Sequence, residues 1–315
     1  MGLDLKPFKV TDKDNRFYTS ILREDGYLFF RDILDVDKIL NYKNDFMKIL
    51  RKYNLIIPEG SEPVWSGVLP DSETGAAIAM EGSELKSLYE VGQSDEILEI
   101  ARRIYGDPIF MFEETIPRAQ PPEDAAFRTP AHQDIYFYER SLDFITAWTP
   151  YMDIDSSIGG LTLAENSHKR DFDKRLFAYG KYEGGHVIPG IPDDRIPNTT
   201  WLSSDVNPGD VLIFHCKMIH KALSNKSNKV RLSSDLRYQN GLTHIDWRAK
   251  NTVESNIFYL QRVLRSIAVQ EGLKGGVIEK FIWESQHGIS SHEDLVAIQK
   301  RVENLKRTTD DPNIF

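Results

Sequence analysis

The chain of 315 residues predicts an α+β fold with a mainly β core, a sandwich or barrel of short strands dressed by helices at both ends. Three changes of texture carry that reading. Residues 10–106 place apolar residues at helical spacing. Residues 107–240 hold short runs rich in Phe, Ile, Val, Thr and Tyr, broken by Pro, Gly, Asn and Asp. Residues 241–315 return to helical spacing. No low-complexity tract, repeat or long linker separates these zones, so 1–315 reads as a single domain.

Taken in order, "DGYLFFRDI" reads as a short strand between helices. Val36, Ile39, Leu40, Phe46 and Leu50 form an apolar helical stripe, with Asp35 as its N-cap. The stretch 63–82, "EPVWSGVLPDSETGAAIAMEG", reads as a long irregular loop carrying Trp65, a lid over a pocket. In "SDEILEIARRIYG", Ser94 caps a helix and Gly106 ends it. Strands are expected in "PIFMFEETI", "DFITAWTPYMDI", "GLTLAE", "GDVLIFHCKMIH" and "VRLSSDLRYQ". Beyond them Leu260, Val263, Leu264 and Ile267 form a stripe, and "SSHEDLVAIQKRVENL" a later amphipathic helix.

The formal net charge is −9 and the positive charges are dispersed. Neither nucleic acid nor an anionic membrane surface is therefore an expected partner, since both need clustered cations. The opening "MGLDLKPFKVTDKDNRF" has no apolar core of a secretory signal, and no apolar run approaches membrane-spanning length. The one cysteine, Cys216, forms no internal disulfide, which fits a reducing, cytoplasmic setting. A small-molecule substrate and a monomer or homodimer are expected.

The chemistry centres on "RTPAHQDIYFYER", residues 128–140. In a strand, residues i and i+2 face one way, so His132 and Asp134 can bind one ion while Gln133 points elsewhere. A third ligand should lie on a strand that returns beside this one, and "NPGDVLIFHCKMIHKALSNKSNKVRLSSDLRYQ" offers His215 and His220. Two histidines and a carboxylate are the facial triad of non-haem Fe(II) oxygenases, leaving positions for a bidentate co-substrate and O₂. Arg231 opens the next strand, and its fork of donors suits the far carboxylate of a dicarboxylate. Ser233 shares that strand face and adds a hydroxyl; Asp235 and Arg237 continue it.

Residues 20–240 resemble the phytanoyl-CoA dioxygenase family of Fe(II)/2-oxoglutarate oxygenases. "LREDGYLFFRDIL", "HQD", "AWTPYMDIDSSIGGLTLAENSHK" and "GDVLIFHCKMIHKALSNKSNKVR" carry the resemblance, in that order. It implies a double-stranded β-helix (jelly roll, cupin-like). It selects His220 over His215 as the distal ligand and makes Trp148 a 2-oxoglutarate contact beside Arg231 and Ser233. Two positions depart from the pattern: Ala222 stands where relatives often carry Ser, and Asn166 stands where Gly is usual before Ser-His-Lys.

The implied cofactors are Fe(II), 2-oxoglutarate and O₂, with ascorbate as a helpful reductant in vitro. The implied reaction is oxidation of an unactivated C–H of a small metabolite, with hydroxylation as the default over desaturation or cyclisation. Asp134 fills the carboxylate position, so halogenation is not expected. Arg118, Arg128, Tyr136, Arg237 and Trp65 are the candidate substrate contacts; His168 reads as a structural cap. Two other classes compete. One is a cupin-type metalloenzyme without 2-oxoglutarate, an isomerase or one-substrate dioxygenase. The other is a non-catalytic ligand-binding barrel. Arg231 argues against the first, and the complete ligand set against the second.

Overall fold

The computed structural model describes residues 3–8, 15–112, 115–122, 128–138, 143–181, 187–196 and 198–241. The helices expected after residue 241, together with His186, His244, His287 and His292, lie outside the described residues. The strands are β1 (Leu3–Asp4), β2 (Pro7–Phe8), β3 (Tyr27–Phe30), β4 (Ile109–Met111), β5 (Ile116–Gln120), β6 (Ile145–Pro150) and β7 (Leu161–Ala164). They continue with β8 (Ala178–Lys181), β9 (Val187–Gly190), β10 (Trp201–Ser203), β11 (Val211–His215), β12 (His220–Ala222) and β13 (Arg231–Asn240). The helices are α1 (Asn15–Glu24), α2 (Val36–Lys52), α3 (Ser72–Ser83), α4 (Lys86–Gly92) and α5 (Asp95–Tyr105).

Two sheets form the core. The larger runs β2-β3-β11-β6-β13-β4, with β5 also paired to β13; the smaller runs β1-β10-β7-β12. They face each other without closing into a barrel, the open jelly-roll arrangement of cupin-like folds. A two-stranded ribbon, β8-β9, stands apart. Each of the five runs from "PIFMFEETI" to "VRLSSDLRYQ" contains a strand, and "PIFMFEETI" reaches into two, β4 and β5.

The helical half follows its apolar pattern with three differences. Asp35 caps α2 as expected, its carboxylate accepting from the Asp37 N–H. Of the expected stripe, Ile39, Phe46 and Leu50 are buried, but Val36 and Leu40 are exposed; Tyr42, Met47 and Ile49 complete the buried face instead. Ser94 occupies the N-cap of α5 without a side-chain cap bond. The stretch 63–82 is not irregular throughout. Val64 bridges Lys229, the Trp65 N–H donates to the Asn228 carbonyl, and α3 begins at Ser72 behind an Asp71 cap.

The alternation of β13 sorts two environments. Leu232, Ser234, Leu236 and Tyr238 turn outward to the helical layer, where Tyr238 donates to the Gly92 carbonyl and Ser234 meets the Tyr151 hydroxyl. Arg231, Ser233, Asp235 and Arg237 turn inward between the sheets. Pairing carries that face across the sheet, with Ser233 opposite Arg118, Asp235 opposite Trp148 and Arg237 opposite Thr146.

Candidate metal centre

His132 and His220 meet because they are cross-strand neighbours. The segment before Asp134 forms a single antiparallel bridge with β12, in which each histidine's N–H donates to the other's carbonyl (3.0 and 2.9 Å). The imidazole centroids consequently lie 4.1 Å apart. Gln133 is extended, so its side chain leaves on the opposite side and donates to the Lys217 carbonyl. Asp134 then returns to the side of His132. The aromatic run that opens there is strand-like in composition but is not a strand: Asp134–Tyr136 make a short 3₁₀ turn. The His-x-Asp geometry needs only the one extended residue between its ends.

Hydrogen bonds fix the imidazole orientation. His132 Nδ1 lies 2.8 Å from the Pro130 carbonyl and His220 Nδ1 3.0 Å from the Met218 carbonyl. Carbonyl oxygens only accept, so both Nδ1 atoms carry the proton and both Nε2 atoms present lone pairs. Those atoms converge on Asp134 Oδ1, at 3.4 Å from His132 and 3.7 Å from His220. Asp134 Oδ1 is buried and has no hydrogen-bond partner. A buried carboxylate oxygen facing two imidazole lone pairs is electrostatically costly unless a cation sits among them. The donor set fits a divalent metal of the Fe(II) kind.

The other carboxylate oxygen is fully engaged. Asp134 Oδ2 accepts from Thr146 Oγ1 at 2.5 Å and from Arg237 Nε at 3.0 Å. Burial pushes the Asp134 carboxyl upward, but the Arg237 charge opposes it and the carboxyl is held well below the usual carboxylate range. Burial, reinforced by His132, pushes His220 down to about 4, so its imidazole is neutral and able to ligate at pH 7. The Phe214 ring centroid lies 4.5 Å from that of His220, and the Phe137 and His132 rings meet edge to face with centroids 5.5 Å apart.

Arg231 is buried on the inward face of β13, and its Nη1 donates to the Gly159 and Gly160 carbonyls at 2.5 and 3.3 Å. Gly159 is required there: its φ is +71° and a Cβ would stand 2.3 Å from the Ser224 carbonyl. A Cβ on Gly160 would stand 3.7 Å from Trp148 Cη2, which puts Trp148 against Gly160. Ser233 Oγ is buried with no partner.

The remaining candidates divide. Arg118 lines the same inward face, half-buried, with Nε and Nη2 both donating to Asp235 Oδ2 (3.0 and 2.7 Å). Arg237 is not a pocket-facing side chain but a fully buried partner of Asp134. Tyr136 stacks on Phe177 at 3.8 Å, in a satellite apolar cluster. Arg128 is exposed, donates to Ser224 Oγ, and borders a cleft of about 390 Å³ with Pro130 and Ala222. Trp65 donates to the Val68 carbonyl and is not brought to the cluster of His132, Asp134 and His220. His215 points away from the ligands into a separate cleft, 3.4 Å from Asp143. His168 caps the end of α1 through the Arg23 carbonyl. Thr146 and Phe137 were missed by sequence reasoning; the two-residue spacing of Thr146 from Trp148 on β6 was a usable signal for the first.

Fold and site together define a non-haem Fe(II)/2-oxoglutarate-dependent dioxygenase. The phytanoyl-CoA dioxygenase family model matches residues 22–233. Among curated relatives, 1-deoxypentalenic acid 11-beta-hydroxylase of Streptomyces exfoliatus is 28% identical over 249 residues, 75% of this chain and 83% of that protein. The human peroxisomal phytanoyl-CoA dioxygenase is 27% identical, covering 79% of this chain and 73% of its own. Among solved structures, the carbocyclase SnoK of nogalamycin biosynthesis superposes with a TM-score of 0.51 at 19% identity, covering 79% of this chain and 93% of its own. The chain belongs to the phytanoyl-CoA dioxygenase family. Among the described residues, no helix is long and apolar enough to cross a membrane.

Proposed function

We propose that the enzyme hydroxylates an unactivated C–H of a small-molecule metabolite while 2-oxoglutarate is converted to succinate and CO₂. The observation that carries the ligand assignment is Asp134 Oδ1, buried and unpartnered, facing the Nε2 atoms of His132 and His220. When bound, iron with 2-oxoglutarate supplies the O₂-activating chemistry that removes hydrogen from the substrate carbon.

The chain's own residues position and enclose. His132, Asp134 and His220 would hold the metal. Arg231 takes the far carboxylate of 2-oxoglutarate, exchanging its glycine carbonyl partners for a charged one, with the Ser233 hydroxyl as a second donor. Trp148 walls that end and keeps it dry. Phe137, 43% exposed with its edge on His132, lies where an apolar substrate would pass, and Arg118 offers a cation on the same inward face. A substrate with an apolar body and an acidic group suits that pairing. The hydroxylases among the relatives favour hydroxylation, although a carbocyclase shares the fold.

The test is a panel of terpenoid acids, acyl thioesters and amino acids incubated with Fe(II), ascorbate and 2-oxoglutarate. Succinate release matched by the gain of one oxygen atom in one panel member is expected. Loss of two hydrogens without oxygen gain would replace hydroxylation by desaturation or ring closure.

A further inference from the structure

Arg237 is the largest fully buried side chain among the described residues, and it does not face a substrate pocket. Its Nε donates to Asp134 Oδ2, its guanidinium carbon lies 4.6 Å over the Tyr138 ring, and its Nη2 is 3.6 Å from Asp235. Asp235 is held in turn by two bonds from Arg118. A guanidinium restrained on three sides is a costly way to neutralise one carboxylate, because a buried ion pair is rarely a net source of stability. What it delivers is direction.

We propose that Arg237 is a positioning residue that, with Thr146, holds Asp134 as a single-oxygen metal ligand. This rests on the ligand assignment above. The two donors to Oδ2 come from different strands, β13 and β6, at paired positions. Tilting the carboxylate so that both oxygens meet the metal would break both bonds inside a low-dielectric interior. Only Oδ1 is therefore left to ligate, and the positions that 2-oxoglutarate and O₂ require stay open. A lysine at 237 would keep the charge but lose the planar fork and its seat on Tyr138. Arg118 and Asp235 extend the same restraint outward, so the metal carboxylate and the pocket wall belong to one charge network.

The experiment uses the metal-free protein with Co(II) as the probe, read by calorimetry, followed by 2-oxoglutarate titrated into the Co(II) form and read by visible absorption. Arg237→Lys is expected to weaken Co(II) binding by about 10- to 100-fold, the usual cost of losing an outer partner of a ligand. Its 2-oxoglutarate affinity should fall as well, because a two-oxygen carboxylate occupies a site the keto acid needs. Thr146→Val, which removes one hydroxyl with little change of shape, should move both quantities the same way by less. A role confined to folding would lower Tm but leave the Co(II) affinity, the Co(II) spectrum and the 2-oxoglutarate titration of the folded variants at parental values, and that result overturns the proposal. Should Arg237→Lys not fold, Thr146→Val decides by the same criteria. His220→Ala is the separate control. If it binds Co(II) as tightly as the parent, the ligand assignment fails, not the positioning role alone.

Discussion

Replacement of Arg231 is the sharpest test of the co-substrate assignment. Its Nη1 donates to the Gly159 and Gly160 carbonyls, it is buried, and it shares an inward strand face with the unpartnered hydroxyl of Ser233. A charge-assisted hydrogen bond contributes about 1.5–3 kcal/mol. At about 1.4 kcal/mol per factor of ten, losing the clamp weakens 2-oxoglutarate about 10- to 100-fold. Arg231→Lys keeps a charge without the fork and belongs at the lower end; Arg231→Met belongs at the upper end. The assay is the KM for 2-oxoglutarate from succinate formation, beside the dissociation constant in the Co(II) form. Both should rise together while kcat at saturating 2-oxoglutarate changes far less, since uniform binding is what is lost. The Gly159 carbonyl also loses its Arg231 donor and the Gly160 carbonyl keeps only the Leu223 N–H, so Tm should drop by a few degrees. A folded Arg231→Met protein with the parental KM for 2-oxoglutarate would refute the assignment.

Four further outcomes are expected. His220→Ala should abolish metal binding measured by calorimetry, whereas His215→Ala should retain it, because His215 opens onto a different cleft beside Asp143. Gly26→Ala should destabilise the fold by about 2–5 kcal/mol in denaturant titration, combining left-handed strain at φ +79° with crowding of His168 Nδ1 and Met218 Cε, both 2.3 Å from the added Cβ. Burial pushes the Cys216 thiol up to about 12, so alkylation at pH 8 should be slow in the native protein and fast once it is unfolded. The sign follows for stability: a pKa raised by folding contributes fully below the unfolded value of 9.0 and is lost as pH climbs toward 12. Tyr42, Tyr105, Tyr151 and Tyr238, all raised by burial, act in the same direction, so chemical denaturation should show stability falling on the alkaline side.

Much of the core was legible because its signals are local. Short β-branched and aromatic runs bounded by Pro and Gly became β4, β6, β7, β11 and β13, and the Asp35 cap and the strand at Tyr27–Phe30 stand where the sequence places them. The failures have tertiary causes. Val36 and Leu40 have the spacing of a buried stripe, but α2 is rolled so that Tyr42, Met47 and Ile49 take the buried side. The aromatic residues after Asp134 look like a strand, yet Tyr136 is drawn onto Phe177 and the backbone closes a 3₁₀ turn. The start of the stretch 63–82 looks irregular because the order of Pro63, Val64 and Trp65 comes from Asn228, Lys229 and Val230, far along the chain.

Arg237 marks the boundary of what alternation can deliver. The two-residue period places it correctly on the face of Arg231 and Ser233, and a cation on an inward face reads as a substrate contact. Period gives direction but not depth. Whether a guanidinium at that position meets solvent, substrate or another side chain depends on what the facing segment brings, and here that is a carboxylate 103 residues earlier. The same logic explains why the histidines were easier. His132 and His220 are joined by a reciprocal backbone bridge, so each one's placement needs only that its segment be extended. Asp134 needs that bridge, the turn that follows it, and two donors from strands it does not belong to. A ligand whose geometry is set by three separate elements is where single substitutions distant in sequence should alter metal binding without touching the metal.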